Sequence, residues 1–151
     1  MSKTNIQFIS SCYNFNKVDH MFFDFFSSRE EKEAISHIKN LIFLASVDGK
    51  VHENELASIL LIAKREGVSD ININKLINNP ERTDFLVPYS LERQEQYLKD
   101  LVLCMMSDGN IEDREVNFCK SVARIYGYRV EVIDAIILKY LNELKENLKS
   151  I

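Results

Sequence analysis

The chain has 151 residues, enough for one domain with a real hydrophobic core. Apolar residues make up 46% and charged residues 28%, with only four glycines and two prolines, which argues against disorder, collagen and a many-stranded sandwich. A net charge of −4 without a basic stripe argues against nucleic-acid binding, and three scattered cysteines without C-x-x-C argue against a disulfide scaffold or a zinc ribbon.

The first 27 residues form an aromatic-rich extension, with four phenylalanines between Phe22 and Phe26. Such a cluster is expected to clamp onto the core, or alternatively to offer a patch to a partner. Ser28 and Glu31 fit the capping box S-x-x-E, and Ala34, Ile35, Ile38, Leu41, Ile42 and Ala45 then recur at helical spacing. This helix should stop near Val47, at Asp48-Gly49. His37, on the same helix, reads as a surface or partly buried residue. A second helix runs from about Glu53 to Glu66 and is closed by Gly67.

Asp70 can cap a short helix over 71–78, which Pro80 closes off. Ser90 caps the next long helix, whose core face is Leu91, Tyr97, Leu98, Leu101, Val102 and Met105 and which ends at Asp108-Gly109. A helix from about Asp113 to Tyr126 is closed by Gly127. The last helix, about Val130 to Leu148, is amphipathic, with Val132, Ile133, Ile136, Ile137, Tyr140, Leu141, Leu144 and Leu148 as its apolar side. No segment alternates with a period of two. The expected fold is an all-α compact bundle of about six or seven helices, in a single domain whose core spans 28–151.

Two stretches repeat. "LIFLASVDGKVHENELASILLIAKREG" (Leu41 to Gly67) aligns without a gap on "LVLCMMSDGNIEDREVNFCKSVARIYG" (Leu101 to Gly127), with six identical positions. Asp48/Asp108, Gly49/Gly109, Glu55/Glu115 and Gly67/Gly127 are among them. The chain is built on a duplicated hairpin of helix, DG turn and helix, expected to pack about a pseudo-two-fold axis. Glycine supplies the left-handed residue that ends the first helix. Val51 and Ile111 are expected to turn back into the core. Glu55 and Glu115 fall at the third position of the following helix, where a carboxylate accepts the capping backbone N–H.

The same acids suggest a metal. In an EF-hand the glycine precedes the final Glu by six positions, the spacing of Gly49 to Glu55 and of Gly109 to Glu115. The first acidic slots of the loop are missing: Leu44 and Ser46 stand there in one copy, Cys104 and Met106 in the other. A calcium ion takes six to eight oxygens, more than one half-loop supplies. Two turns side by side could combine Asp48, Glu55, Asp108 and Glu115 into an oxygen-rich site for Ca²⁺ or Mg²⁺, or for Zn²⁺ if His52 joined. The alternative is that the acids serve only their own turns and caps.

These paired motifs, with Pro88, Arg93 and Leu98 between them, resemble the TerB-like family, named for a tellurite-resistance protein and related to the N-terminal part of DjlA-type co-chaperones. The resemblance covers about Glu30 to Leu148. It implies an all-helical duplicated domain and metal binding through the matching acids Asp48, Glu55, Asp108 and Glu115. It further implies a role in tellurite or chemical-stress response within multi-protein complexes, sometimes at the inner face of a membrane.

No G-x-S-x-G, P-loop or H-E-x-x-H motif is present, so no catalytic residues are assigned and an enzyme is not expected. The leading expectation is a non-enzymatic cytoplasmic module that binds a divalent cation and docks to a protein partner. The rivals are an interaction domain with purely structural acids and, behind it, a metal-dependent hydrolase.

Overall fold

In the computed structural model of the chain, residues 28–47, 49, 51–78 and 85–150 are described. The aromatic extension and Asp48 lie outside them. Six helices run through the described residues: α1 (Arg29–Ala45), α2 (Glu53–Arg65), α3 (Asp70–Asn78), α4 (Leu91–Met106), α5 (Asp113–Ile125) and α6 (Glu131–Lys149). Among the described residues there is no strand, and no helix is long and apolar enough to cross a membrane.

The helix ends follow the local chemistry read from the sequence. The hydroxyl of Ser28 accepts the N–H of Glu31, and that of Ser90 accepts the N–H of Arg93. Gly67 and Gly127 close α2 and α5 at φ +73° and +86°. Just beyond them, the N–H of Val68 reaches Ala63 O and that of Tyr128 reaches Ala123 O, both at 2.9 Å. One cap differs. Asp70 is itself the first residue of α3, and the hydroxyl of Ser69 accepts the N–H of Asn72 at 3.3 Å.

The duplication is larger than a hairpin. A shift of 60 residues carries α2 onto α5 and places α1 on α4 and α3 on the start of α6. Buried residues fall on buried residues: Ile38 on Leu98, Leu41 on Leu101, Leu44 on Cys104, Ile59 on Cys119, Ala63 on Ala123, Ile73 on Ile133. Within each copy the first helix packs against the second and third, and the copies meet chiefly through α1 against α4.

At that junction equivalent residues touch each other. The ring of His37 lies on that of its counterpart Tyr97, centroids 3.7 Å apart and planes at 4°. Glu33 meets its counterpart Arg93 at 3.2 Å. Contact between equivalent positions is the signature of a two-fold relation. His37 is therefore a core residue, its side chain fully buried, and not the surface or partly buried residue expected from its helix position. Its Nε2 lies 2.9 Å from Asp100 Oδ2. An ionised carboxylate only accepts, so Nε2 carries the proton and Nδ1, buried and without a partner, does not.

Around the stack runs a polar network. Arg65 donates to both oxygens of Asp100 at 2.9 and 2.6 Å and to Glu66, while Gln96 also donates to Asp100. Arg93 donates to Glu33, Glu66 and the Tyr97 hydroxyl, and that hydroxyl donates to Glu66 at 2.9 Å. Arg29 completes the set at Glu33. Three carboxylates thus meet three guanidinium groups. Burial alone would raise Asp100, but its bonds from Arg65 and His37 hold it far below the carboxylate range. Burial likewise holds His37 below its ordinary value, against the pull of Asp100.

A second correction concerns the residues after the turns. Val51 and Ile111 are 45% and 40% exposed, so neither turns into the core as the sequence reading expected. The buried position after each glycine is instead the glutamate, Glu55 or Glu115.

Two predictions follow from the junction. Asn40, the counterpart of Asp100, is buried with both amide atoms unpaired. Asn40→Leu keeps the γ-branched shape and removes the unpaired groups, so urea denaturation should show a gain of about 1 kcal/mol. Asp100→Leu strands Arg65 and His37 and should lose about 3–5 kcal/mol. The second prediction concerns acid. Below about pH 6.5 the unfolded chain takes up a proton at His37 that the folded chain refuses, so stability falls on acidification. Asp100 adds a further loss as pH falls below about 4. Midpoints measured between pH 7.5 and 5 should slope less steeply in His37→Gln than in the native chain.

Candidate metal centre at the paired turns

Each DG turn is made by the same backbone device. The N–H of Gly49 bonds Ser46 O at 2.9 Å, and that of Gly109 bonds Met106 O at 3.1 Å. Both glycines are left-handed, at φ +87° and +80°, a region that costs other residues about 1–2 kcal/mol. A Cβ at either would meet nothing within 4 Å, so conformation and not space selects glycine there. Asp108 steadies its own turn, its Oδ1 accepting the N–H of Asn110 at 2.8 Å.

The two glutamates then start the next helices. Glu55 Oε2 accepts the N–H of His52 at 2.8 Å, and Glu115 Oε2 accepts the N–H of Glu112 at 3.1 Å. Because the carboxylate bonds the capping residue's backbone, the side chain of that residue is not restricted to a good N-cap. His and Glu at 52 and 112 are accommodated for this reason.

The crossing of α1 and α4 brings the two turns to one side of the bundle. His52 Nε2 in the first turn lies 3.8 Å from Asp108 Oδ2 in the second. Glu115 senses Glu55 across the junction. Burial pushes the Glu115 carboxyl above its ordinary value, and the negative charges of Glu55, Asp108 and Glu112 push the same way, against the capping N–H of Glu112. Of the four acids read from the sequence, Glu55 and Asp108 are therefore each within electrostatic reach of Glu115. Asp48 lies outside the described residues. Among the described residues, no three His, Cys, Asp or Glu side chains are close enough together to hold a metal ion.

Sulfur lines the layer beneath. Cys104 and Cys119 are buried and reduced. Burial raises both thiols, that of Cys119 to about 12, and the charges of Glu55 and Glu115 raise Cys104 further. Both therefore stay protonated at neutral pH in the metal-free fold. The donors left at the turns are oxygens, which suit hard cations.

Sequence reading overlooked the buried polar network completely. Its signal lay in the 60-residue register continued upstream of Leu41, where Glu33 falls on Arg93 and His37 on Tyr97. Those pairs are complementary in charge and shape, not alike, and so do not register as a repeat.

A solved crystal structure of a tellurite resistance protein from Nostoc punctiforme PCC 73102 is similar, with a TM-score of 0.58 and 21% sequence identity, covering 99% of this chain and 93% of that one. The chain has a TerB-like, all-helical fold. No family model matches the sequence, and no curated protein does.

The electrostatic contact across the junction is testable. Glu55→Gln keeps an acceptor for the His52 N–H and removes the charge that reaches Glu115 from the other turn, so the Glu115 side-chain carboxyl resonance should titrate at lower pH in the variant. An unchanged midpoint would place the turns too far apart to share an ion.

Proposed function

We propose that the chain is a non-enzymatic TerB-like module that binds one divalent cation between its two acidic turns and docks to a protein partner during tellurite or chemical stress. One observation carries the cation: the two turns share a surface, with His52 Nε2 of the first 3.8 Å from Asp108 Oδ2 of the second, and there Glu115, raised first by burial, is raised further by the charge of Glu55 from the other turn and of Asp108 from its own. Carboxylates held together in this way repel, and a cation between them reverses the sign of that interaction. Asp48, Glu55, Asp108 and Glu115 are the proposed ligands, with water completing the shell. Ca²⁺ or Mg²⁺ fits this oxygen set best, and Zn²⁺ would need His52.

The docking part rests on exposed aromatic surface. Phe43 of α1 and Phe85, at 40% and 38% exposure, flank Phe118 of α5, with ring centroids 5.0 and 6.1 Å from it. Aromatic groups of this kind are enriched at protein interfaces. The stress connection rests on the named role of the similar solved protein.

The non-enzymatic reading is supported by an arrangement among the described residues that resembles a catalytic pair. His37 and Asp100 form a hydrogen-bonded pair, but their side chains are 0% and 2% exposed and both Asp100 oxygens are also held by Arg65. A base sealed in this way cannot reach a substrate proton.

A second reading is favoured by the two capping bonds. Glu55 and Glu115 each satisfy the backbone N–H at the head of a helix, a sufficient structural use for both residues. In that case the chain is an interaction domain without a metal.

Thermal unfolding with EDTA, Ca²⁺, Mg²⁺ or Zn²⁺ separates the readings. A cation at about 100 times its Kd should stabilise the folded state by about 2.7 kcal/mol. The Asp48→Asn, Asp108→Asn double variant should lose that response. No rise with any ion would leave the capping role alone, and a rise that survives the substitutions would move the site elsewhere.

A further inference from the structure

The third helix of the second copy outgrows its counterpart. α3 ends at Asn78, which the 60-residue register places on Leu138, whereas α6 continues to Lys149. The start of α6 packs on α4 and α5, with Ile133 fully buried and Val132, Ile136, Ile137 and Tyr140 half-buried against the core. Beyond Tyr140 every described residue of the helix is exposed. Leu138, Leu141, Leu144 and Leu148 are 59%, 37%, 54% and 72% exposed. An isolated helical segment of about this length is marginal in water, and a row of bare leucines calls for a cover.

The spacing of the row identifies the cover. Ile137, Leu141, Leu144 and Leu148 are separated by four, three and four residues, the a/d seam of a two-stranded coil. This seam lies beside the Ile133, Ile136 and Tyr140 side that packs on the bundle, and its first residue, Ile137, is half-buried at the edge between the two. We infer that the seam pairs with the same seam of a second copy of this chain, the two α6 helices running antiparallel. In that orientation Ile137 packs on the partner's Leu148 and Leu141 on the partner's Leu144, and the two-fold relation repeats both contacts, so four apolar layers form. Lys145 then flanks the partner's Leu138, and Tyr140 flanks the partner's Asn147. No like charges oppose each other along the seam. A parallel pair would instead bring both bundles to the same end, around the half-buried Ile137. Antiparallel pairing sets them at opposite ends.

The interface is short, about 20 Å of helix at 1.5 Å per residue, and belongs to the small, reversible class. Sedimentation velocity on the full chain, from low micromolar to several hundred micromolar, should show the mass rise from 17.6 kDa towards twice that value. Leu144→Lys with Leu148→Lys should keep the chain at the single mass throughout. Both side chains are more than half exposed, so its helical circular dichroism and thermal midpoint should match the native chain. Leu148→Lys alone, the most exposed of the row, should weaken association at least tenfold and serves if the double variant folds poorly. A native chain that stays at the single mass at every concentration overturns the inference. So does a dimer that persists in the folded lysine variants. Binding of a single-mass native chain to anionic phospholipid vesicles would identify a lipid surface as the occupant and overturn it as well.

Discussion

The face-to-face contact of His37 with Tyr97 is the constraint from which the rest of the architecture follows. These residues occupy the same place in two copies of one helical unit, and a residue can touch its own counterpart only at a two-fold axis. The stack therefore fixes how α1 crosses α4. The two buried rings stabilise the fold through the apolar area they remove from water. The larger effect of the stack is geometric. Each DG turn follows directly from the helix that carries one ring, so fixing the crossing also fixes where both turns emerge. They emerge together, with His52 3.8 Å from Asp108.

An axis of this kind restricts what each copy can carry. Identical charges at equivalent positions on the axis would face one another in a buried setting, where like charges strongly disfavour ionisation. The copies differ there accordingly. Glu33 stands opposite Arg93, and neutral His37 opposite Tyr97. One step further out, Asp100 has Arg65 as its partner, while the equivalent places in the other copy hold Asn40 and Ile125. The second side has lost the cation, and its acid is an amide. What remains is an amide buried without a partner, a local cost of about 1–3 kcal/mol that the charged side does not share.

This pattern explains how much could be read in advance. The helices, their serine and glycine ends, and the duplicated turn were legible because each depends on residues near in sequence: Ser28 with Glu31, Gly67 with Lys64, Glu55 with His52. The core junction was not legible, because its residues match by complementarity. Glu33 and Arg93 look unrelated in an alignment and meet only after folding. His37 looked like a surface histidine because nothing near it in sequence announces Tyr97 or Asp100. Val51 and Ile111 misled for the converse reason. An apolar residue after a turn usually heads inward, but here the buried place goes to a glutamate that caps the helix, and the aliphatic side chain remains at the surface. At the paired turns the acids and their spacing were legible in the sequence, while the proximity of Glu55 and Asp108 to Glu115 came only with the fold.

The turns break the rule that the axis imposes elsewhere. Away from them, equivalent residues near the junction differ in charge. At Glu55 and Glu115 both copies keep a carboxylate, both are nearly buried, and Glu115 registers the charge of Glu55. Capping accounts for one acid in each copy, since each helix start needs an acceptor for its own N–H. A glutamine would also accept that N–H without the repulsion. Capping alone therefore does not explain why both residues are ionisable. Asp108 sharpens the point: its Oδ1 steadies its own turn, and its charge still adds to the load on Glu115. A divalent cation between the turns would turn these like-charge contacts into attractions to a common centre. It would also tie the two copies together at their outer edge, as the His37–Tyr97 stack ties them at the core.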